Sequence, residues 1–293
     1  MKIGVRLPTR EQFVDQEFLT EWARRADAAG FSSLAVTDRV VHHAKEPMIA
    51  LAVAAGVTKQ IRLTASAIVV PSRETTLLAR QAASLDALSN GRFTLGVGIG
   101  VRRDDYAATG TDFHTRGARV EQQLAQFRRI WAGEPAADGL GAIGPVPARP
   151  GGPEVLIGGY VDAVATRIAR WGDGYLSPVG GSPESVLALW GRIKDAWQEA
   201  GRAGSPRWVT GAYFALGPNA EDIADRYIEE NYGFNPGLAQ RIRSNVPTSP
   251  QAIYDTVRRL EDLGSDEYVL RTTTTTFEEL DAISEVIQAR PVA

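Results

Sequence analysis

Short apolar runs alternate along this chain with longer stretches in which apolar residues return every three or four positions. The first pattern reads as buried strand and the second as amphipathic helix. Lys2 to Leu7 is strand-like, and residues 14–29 follow with helical spacing through Phe18, Trp22, Ala26 and Ala29, closed by Gly30. SSLAVTD (32–38) is a strand and 48–58 an Ala-rich helix. IRLTASAIVV (61–70) is the longest β-rich run and ends at Pro71. Residues 74–88 are helical through Leu78, Ala82, Leu85 and Leu88, stopping at Asn90-Gly91, and RFTLGVG (92–98) returns to strand. Helix 116–132 precedes a Pro- and Gly-rich loop over 134–153.

The alternation then resumes. EVLIGG (154–159) leads to helix 161–171, DGYLS (173–177) to helix 182–200, and RWVTGAYFAL (207–216) to helix 220–231. Helix 249–263 precedes EYVLR (267–271), the TTTTT run (272–276) leaves that strand, and helix 277–289 closes the chain. Each of eight strands is followed by a helix, which predicts a parallel sheet. Eight such units in 293 residues fit a closed (β/α)8 TIM barrel, a single domain over 1–293. Residues 232–249 carry no strand and read as an insertion loop after strand seven.

Composition narrows the partners. Thirty-two basic and 35 acidic residues are well mixed for a net charge of −3, which argues against nucleic acid. No cysteine is present, so disulfides, thiolate metal sites and a cysteine nucleophile are excluded. The start, MKIGVRLPTR, goes directly into a strand, and no run approaches about 18 apolar residues, so a cytoplasmic protein with no membrane partner is expected.

LGVGIGVRRDDY (95–106) raises the question of a dinucleotide loop. The G-x-G-x-x-G register fails, because Val101 or Arg103 stands where the third glycine belongs, and the following RRDDYAATGTDF reads as loop. Gly96, Gly98 and Gly100 share one parity and face one side of strand four. Gly96 reads as a crowded barrel interior; Gly98 and Gly100, at the carboxyl end, read as ligand-facing.

A barrel site lies where its strands end. Asp38-Arg39 ends strand two, with His42 and His43 in its loop; Ala67 to Val70 end strand three. Strand four leads to Arg102, Arg103, Asp104 and Asp105; Gly158-Gly159, Ser177 with Gly180 and Gly181, Tyr213 and Arg271 complete the ring. Free N–H groups at Gly158-Gly159 and at 177–181, each before a helix, suit a phosphate. Asp38 either orients a ligand or pairs with Arg39 or another base. No metal is expected: the only other histidine is His114, and no H-x-H or H-E-x-x-H spacing occurs. One of His42 and His43 is a candidate proton donor or acceptor, against a solvated loop histidine. Hydrolase G-x-S-x-G and P-loop motifs are absent.

The run TASAIVVPSRETTLLARQAASLDALSNGRFTLGVGIGVRRDDYAATGTDFHTRGARVEQQLAQFRRIW (64–131) resembles the luciferase-like monooxygenase superfamily. So do VLIGGYVDAVATRIARWGDGYLS (155–177) and DAAGFSSLAVTDR (27–39). The resemblance implies a barrel that binds FMN or the deazaflavin coenzyme F-420 at its strand ends. It places the cofactor against Asp38, Ala67, Ile68, Val69, Gly98, Gly100 and Asp104, with its phosphate at Gly158, Gly159, Ser177, Gly180 and Gly181. Asp38, His42 and His43 become candidate catalytic residues, and Arg39, Val101, Tyr106, Phe113 and Tyr213 candidate substrate-pocket walls. It further implies a homodimer and a cis non-prolyl bond in strand three, placed at Ala67-Ile68 by counting back from Pro71. Two positions depart from the family pattern: Arg39 where His is common after the acidic residue, and Val101 where an aromatic residue or Glu is common. The missing Glu argues against a sugar-phosphate substrate.

Three functions follow as expectations. One is hydride transfer between coenzyme F-420 and a small organic substrate. A second is an oxygenase using reduced FMN from a separate flavin reductase, with 99–115 and 232–249 as lids excluding water. The third is a flavin-binding protein without catalysis.

Overall fold

The computed structural model describes residues 1–135 and 137–289, so Ala136 and the last four residues of the expected domain lie outside the described ones. Eight parallel strands close in sequence order: β1 Lys2–Arg6, β2 Ser33–Val36, β3 Arg62–Val69, β4 Phe93–Gly98, β5 Glu154–Gly158, β6 Gly174–Leu176, β7 Arg207–Phe214 and β8 Glu267–Thr272. β8 pairs back onto β1, so the barrel has no free edge. The single-domain (β/α)8 reading is correct.

Helices α1 Gln16–Ala28, α2 Pro47–Val57, α3 Thr75–Leu88, α4 Arg103–Ala108, α5 Arg116–Trp131, α6 Ala163–Trp171 and α7 Pro183–Glu199 follow the first six strands. α8 Ala220–Tyr232, α9 Pro236–Arg243 and α10 Pro250–Asp262 lie between β7 and β8, and α11 Phe277–Gln288 ends the chain. Several start at a capping side chain followed by proline: Glu46-Pro47, Ser182-Pro183, Asn235-Pro236 and Ser249-Pro250. The cap satisfies an orphan N–H, and proline at the first position loses no hydrogen bond. Two expectations change. The stretch after the strand-four glycines is not all loop, since α4 forms there, and the 232–249 insertion holds α9. Among the described residues no helix is long and apolar enough to cross a membrane.

The helix-facing side of the strands carries the main apolar core, including Trp22, Phe93, Phe127 and Trp208. The barrel interior is layered by the period-two alternation of each strand. At the amino end lies a charge chain. Arg62 pairs with Glu154 at 3.0 Å, Glu154 with Arg207 at 2.5 Å, and Arg207 with Glu267. Ser33 Oγ donates to Glu267 at 2.6 Å, and Thr94 Oγ1 to Glu154 at 2.7 Å. Above it Ala35, Leu156, Leu176, Val209 and Val269 form an apolar plug. Gly96 belongs to this level, where an added Cβ would stand 2.1 Å from the Ala65 carbonyl oxygen.

Removing Arg207 leaves the buried Glu267 carboxylate without its cation, while Glu154 keeps Arg62. Arg207→Met, which strips Glu267 of its cation, is expected to lower unfolding free energy by about 3–5 kcal/mol. Urea denaturation measures this; a loss within about 0.5 kcal/mol, the range of an ordinary surface change, would contradict it.

Candidate functional site

All eight strands deliver their carboxyl ends to one mouth, where a cleft of about 280 Å³ opens. Asp38, Arg39, Ala67, Val69, Gly100 and Val101 line it, and Gly158 and Ser177 lie on the β5–β6 side.

Strand β3 shapes the floor. Its register against β4 shifts between Ala65 and Ile68, so Ser66 and Ala67 leave the ladder and line the cleft. A cis peptide joins Ser66 to Ala67, one residue earlier than the Ala67-Ile68 bond expected from sequence. Ile68 turns away into the main core and does not line the cleft.

Asp38 holds this bulge in place. Its buried carboxylate accepts from the Val69 N–H at 3.0 Å and pairs with Arg73, with Nη2 at 3.0 Å and Nε at 3.3 Å. Of the two readings for Asp38 the ion pair therefore forms, and its base is Arg73 rather than Arg39. Arg39 pairs instead with Asp105 at 3.0 Å and Asp104 at 3.3 Å. Asp105 also accepts from the Val40 and Val41 N–H groups at 3.1 and 2.8 Å. Asp104, expected against the cofactor, is exposed and outside the cleft lining; α4 directs it to Arg39.

The glycines divide. Gly100 has φ +63°, and an added Cβ would lie 2.7 Å from Val69 Cγ1, so both the turn and the approach to β3 need glycine. Gly98 would meet only ordinary contacts at 3.5 Å and does not line the cleft. Gly159 (φ +150°) is packed against Val164 rather than open to the cleft. Tyr175 donates to the Gly159 carbonyl, Tyr160 to that of Val179 and Arg241 to that of Gly180. These donors occupy the carbonyls of the two loops.

Other expected positions fall elsewhere. His42 and His43 are exposed on the β2–α2 loop and outside the cleft lining. His42 Nδ1 accepts from the Ala44 N–H at 3.1 Å, and partial burial, then the charges of Arg10 and Arg39, lower its pKa. Tyr106 and Phe113 pack edge to face at 5.3 Å behind the β4 loop. Tyr213 is buried behind Tyr232, whose hydroxyl it meets at 2.8 Å, and of this pair Tyr232 lines the cleft. Burial favours the neutral form of Tyr213, but Arg10, Arg271 and the Tyr232 hydrogen bond outweigh it and lower its pKa. Burial raises that of Tyr232.

A second cavity of about 350 Å³ lies on the helix-facing side of β7, bounded by α7 and α10. It shares Ser177, Pro178 and Val179 with the cleft and takes in Gly180, Gly181 and Tyr213. Its wall is mainly apolar, with Val186, Leu187, Trp208 and Leu260. The strand-end cleft gathers the ionic groups and is the better candidate for chemistry.

Sequence reasoning places Arg102 at the end of strand four but misses Arg10, Ser66, Tyr160, Tyr232 and Phe234 in the cleft wall. Arg102 and Phe234 meet across it, the guanidinium 3.9 Å from the ring centroid. The insertion thereby roofs the β4 loop. Among the described residues no group of three or more His, Asp or Glu side chains could hold a metal ion.

This barrel, with a ligand-sized cleft at its strand ends and a bulged third strand, is built as a small-molecule enzyme of the α/β-barrel class. The family model described as luciferase-like monooxygenase matches residues 1–275, and the chain belongs to that family of oxidoreductases. An uncharacterized protein of Mycobacterium tuberculosis is 28% identical over 231 residues, covering 68% of this chain and 77% of the relative. An F-420-dependent glucose-6-phosphate dehydrogenase of Amycolatopsis mediterranei is 29% identical over 46% of this chain and 43% of its own. The oxygenase component of a flavin-dependent trigonelline monooxygenase of Acinetobacter baylyi is 28% identical over 43% and 36%. Among solved structures, an F-420-dependent secondary alcohol dehydrogenase superposes with TM-score 0.82 at 16% identity, covering 99% of each chain.

Asp38→Ala is expected to leave a folded barrel, cost about 1–3 kcal/mol for the unpaired donors, and speed hydrogen exchange at the Val69 amide selectively. Exchange mass spectrometry reads the effect, and an unchanged rate at Val69 would remove Asp38 as the anchor of the bulge.

Proposed function

We propose that the chain is an oxidoreductase that moves a hydride between coenzyme F-420 and a small organic substrate in the strand-end cleft. The observation that carries this reading is the β3 bulge, which turns backbone of Ser66 and Ala67 into a ligand-sized cleft and is anchored by Asp38 and Arg73. The residues present fit a flat ring with a phosphate-bearing tail. Gly100 and Gly158 line the cleft without side chains of their own. The carbonyls of Gly159, Val179 and Gly180 are held by protein donors, which favours an anion over a cation at these loops.

On this reading Ser66, Ala67 and Val69 support the ring, while Gly158, Ser177, Pro178 and Val179 hold the phosphate. Bound coenzyme would supply two-electron hydride chemistry. Val101, Tyr232 and Phe234 wall the remaining space, where Arg10 and Arg102 would orient a polar substrate. The F-420-dependent relative and solved structure support this choice of cofactor.

The alternative is oxygen chemistry with reduced FMN, in which a separate reductase would be a partner, as the trigonelline oxygenase component suggests. That chemistry needs a dry site. Here the wall carries Arg10, Arg39, Arg102 and Asn231 and a half-exposed Tyr160, which favours hydride transfer.

We also propose a homodimer built on the α2–α3 face. Ile49, Leu77 and Leu88 are 65%, 59% and 78% exposed there and border one apolar groove, and a second copy is the occupant the family resemblance implies. Sedimentation is expected to give a dimer that Leu77→Glu converts to monomer; a wild-type monomer at micromolar concentration would end this proposal.

Paired fluorescence titrations with F-420 and FMN, each oxidised and reduced, test the function. Tight F-420 binding with weak FMN binding is expected. Preference for reduced FMN would transfer the assignment to oxygen chemistry, binding without turnover by any donor would favour a flavin carrier, and binding of neither would overturn the site.

A further inference from the structure

Arg271 stands out among the buried cations. It closes the inner face of β8, lines the cleft and is 8% exposed. The other arginines buried to this degree each hold a carboxylate: Arg6 pairs with Glu11 at 3.2 Å, and Arg167 with Glu121 at 2.7 Å. Arg271 has none among the described residues. Its Nη2 donates to Ser66 Oγ at 3.0 Å, and its Nε is buried without a partner. Its electrostatic neighbours are the phenols of Tyr160, Tyr213 and Tyr232.

A buried, unpaired guanidinium opposes folding, because desolvation costs several kcal/mol and no counter-charge offsets it. Nothing in the packing around Arg271 requires its charge. Its planar fork faces a cleft and matches a planar oxyanion.

We infer that Arg271 is a binding residue for a delocalised oxyanion on the floor of the cleft. Two ligands carry that chemistry: a substrate carboxylate, or the pyrimidine edge of an anionic reduced flavin or deazaflavin ring. The first needs no cofactor, whereas the second rests on the function proposed above. The Ser66 hydroxyl holds the fork toward the bulge, so either ligand would sit over the Ser66–Ala67 backbone.

The full-length Arg271→Met and Arg271→Lys variants test this without turnover. Melting of the ligand-free protein comes first. Arg271→Met is expected to melt at or above the wild-type temperature, because a buried charge gives way to an apolar chain of similar reach. A melt several degrees lower, or a variant that does not fold, would make Arg271 structural and overturn the inference. Binding follows by calorimetry, with benzoate as the carboxylate probe and oxidised and reduced FMN and F-420 as ring probes. Benzoate binding to wild type, weakened at least ~10-fold by Met and partly restored by Lys, assigns the substrate carboxylate. A Met variant that loses ~10-fold for a reduced ring but not for its oxidised form assigns the ring edge. Benzoate binding without ring binding would keep the inference while sinking the proposed function. Equal affinities of wild type and Met for every probe, or no binding of any, would overturn it.

Discussion

The charge chain Arg62–Glu154–Arg207–Glu267 across the amino end of the barrel is the constraint on which the rest of the interior depends. These residues come from β3, β5, β7 and β8, so their pairing fixes the mutual register of strands far apart in sequence. With period two along each strand, that register dictates the levels above. Two residues further on stand Leu156, Val209 and Val269, and beyond them Gly158, Gly211 and Arg271. A one-residue slip in any strand would bury the wrong face. The ion chain is more valuable for this specification than for its energy, since buried pairs rarely beat an apolar replacement.

The carboxyl end relaxes what the amino end enforces. β3 departs from its ladder over Ser66 and Ala67, small side chains there leave backbone facing the cleft, and Asp38 with Arg73 keeps the departure in one arrangement. Four guanidinium groups, of Arg10, Arg39, Arg102 and Arg271, meet two carboxylates, of Asp38 and Asp105, in the wall. Both carboxylates are already paired, Asp38 with Arg73 and Asp105 with Arg39. The cleft therefore has positive charge to spare, and its open cations suit an anionic cofactor or substrate. α8 ends at the roof and the insertion supplies Phe234, so this segment covers part of the mouth that the barrel strand ends line.

Much of this was legible in the sequence wherever one physical cause dominated locally. Helical and strand periods placed the eight units, and shared parity set the glycines of β4 on one face. Gly96 followed from crowding, whereas Gly100, read from its place at the strand end as ligand-facing, is glycine because of its turn and its approach to Val69. The failures share another origin. α4 is six residues long and opens on Arg103, Asp104 and Asp105, too short and too polar to show an apolar stripe. Asp38 was visible, but its partner is 35 residues away and next to a turn, beyond any local spacing. Phe234 reaches the cleft only because the insertion folds over the mouth; the place of Arg271 at the end of strand eight was legible, but not its lack of a carboxylate partner among the described residues. Gly180 and Gly181 serve the packing under Leu238 and against Val186, which a phosphate-loop reading of adjacent glycines does not anticipate.

The central claim is that the bulged third strand carries the ring of a flavin-type cofactor. A crystal structure of the protein grown with F-420 or FMN tests it most directly. The account predicts the ring over Ser66–Ala67, with its phosphate between Gly158 and the Ser177–Val179 segment. A ring lodged in the cavity bounded by α7 and α10, with the strand-end cleft empty, would contradict it.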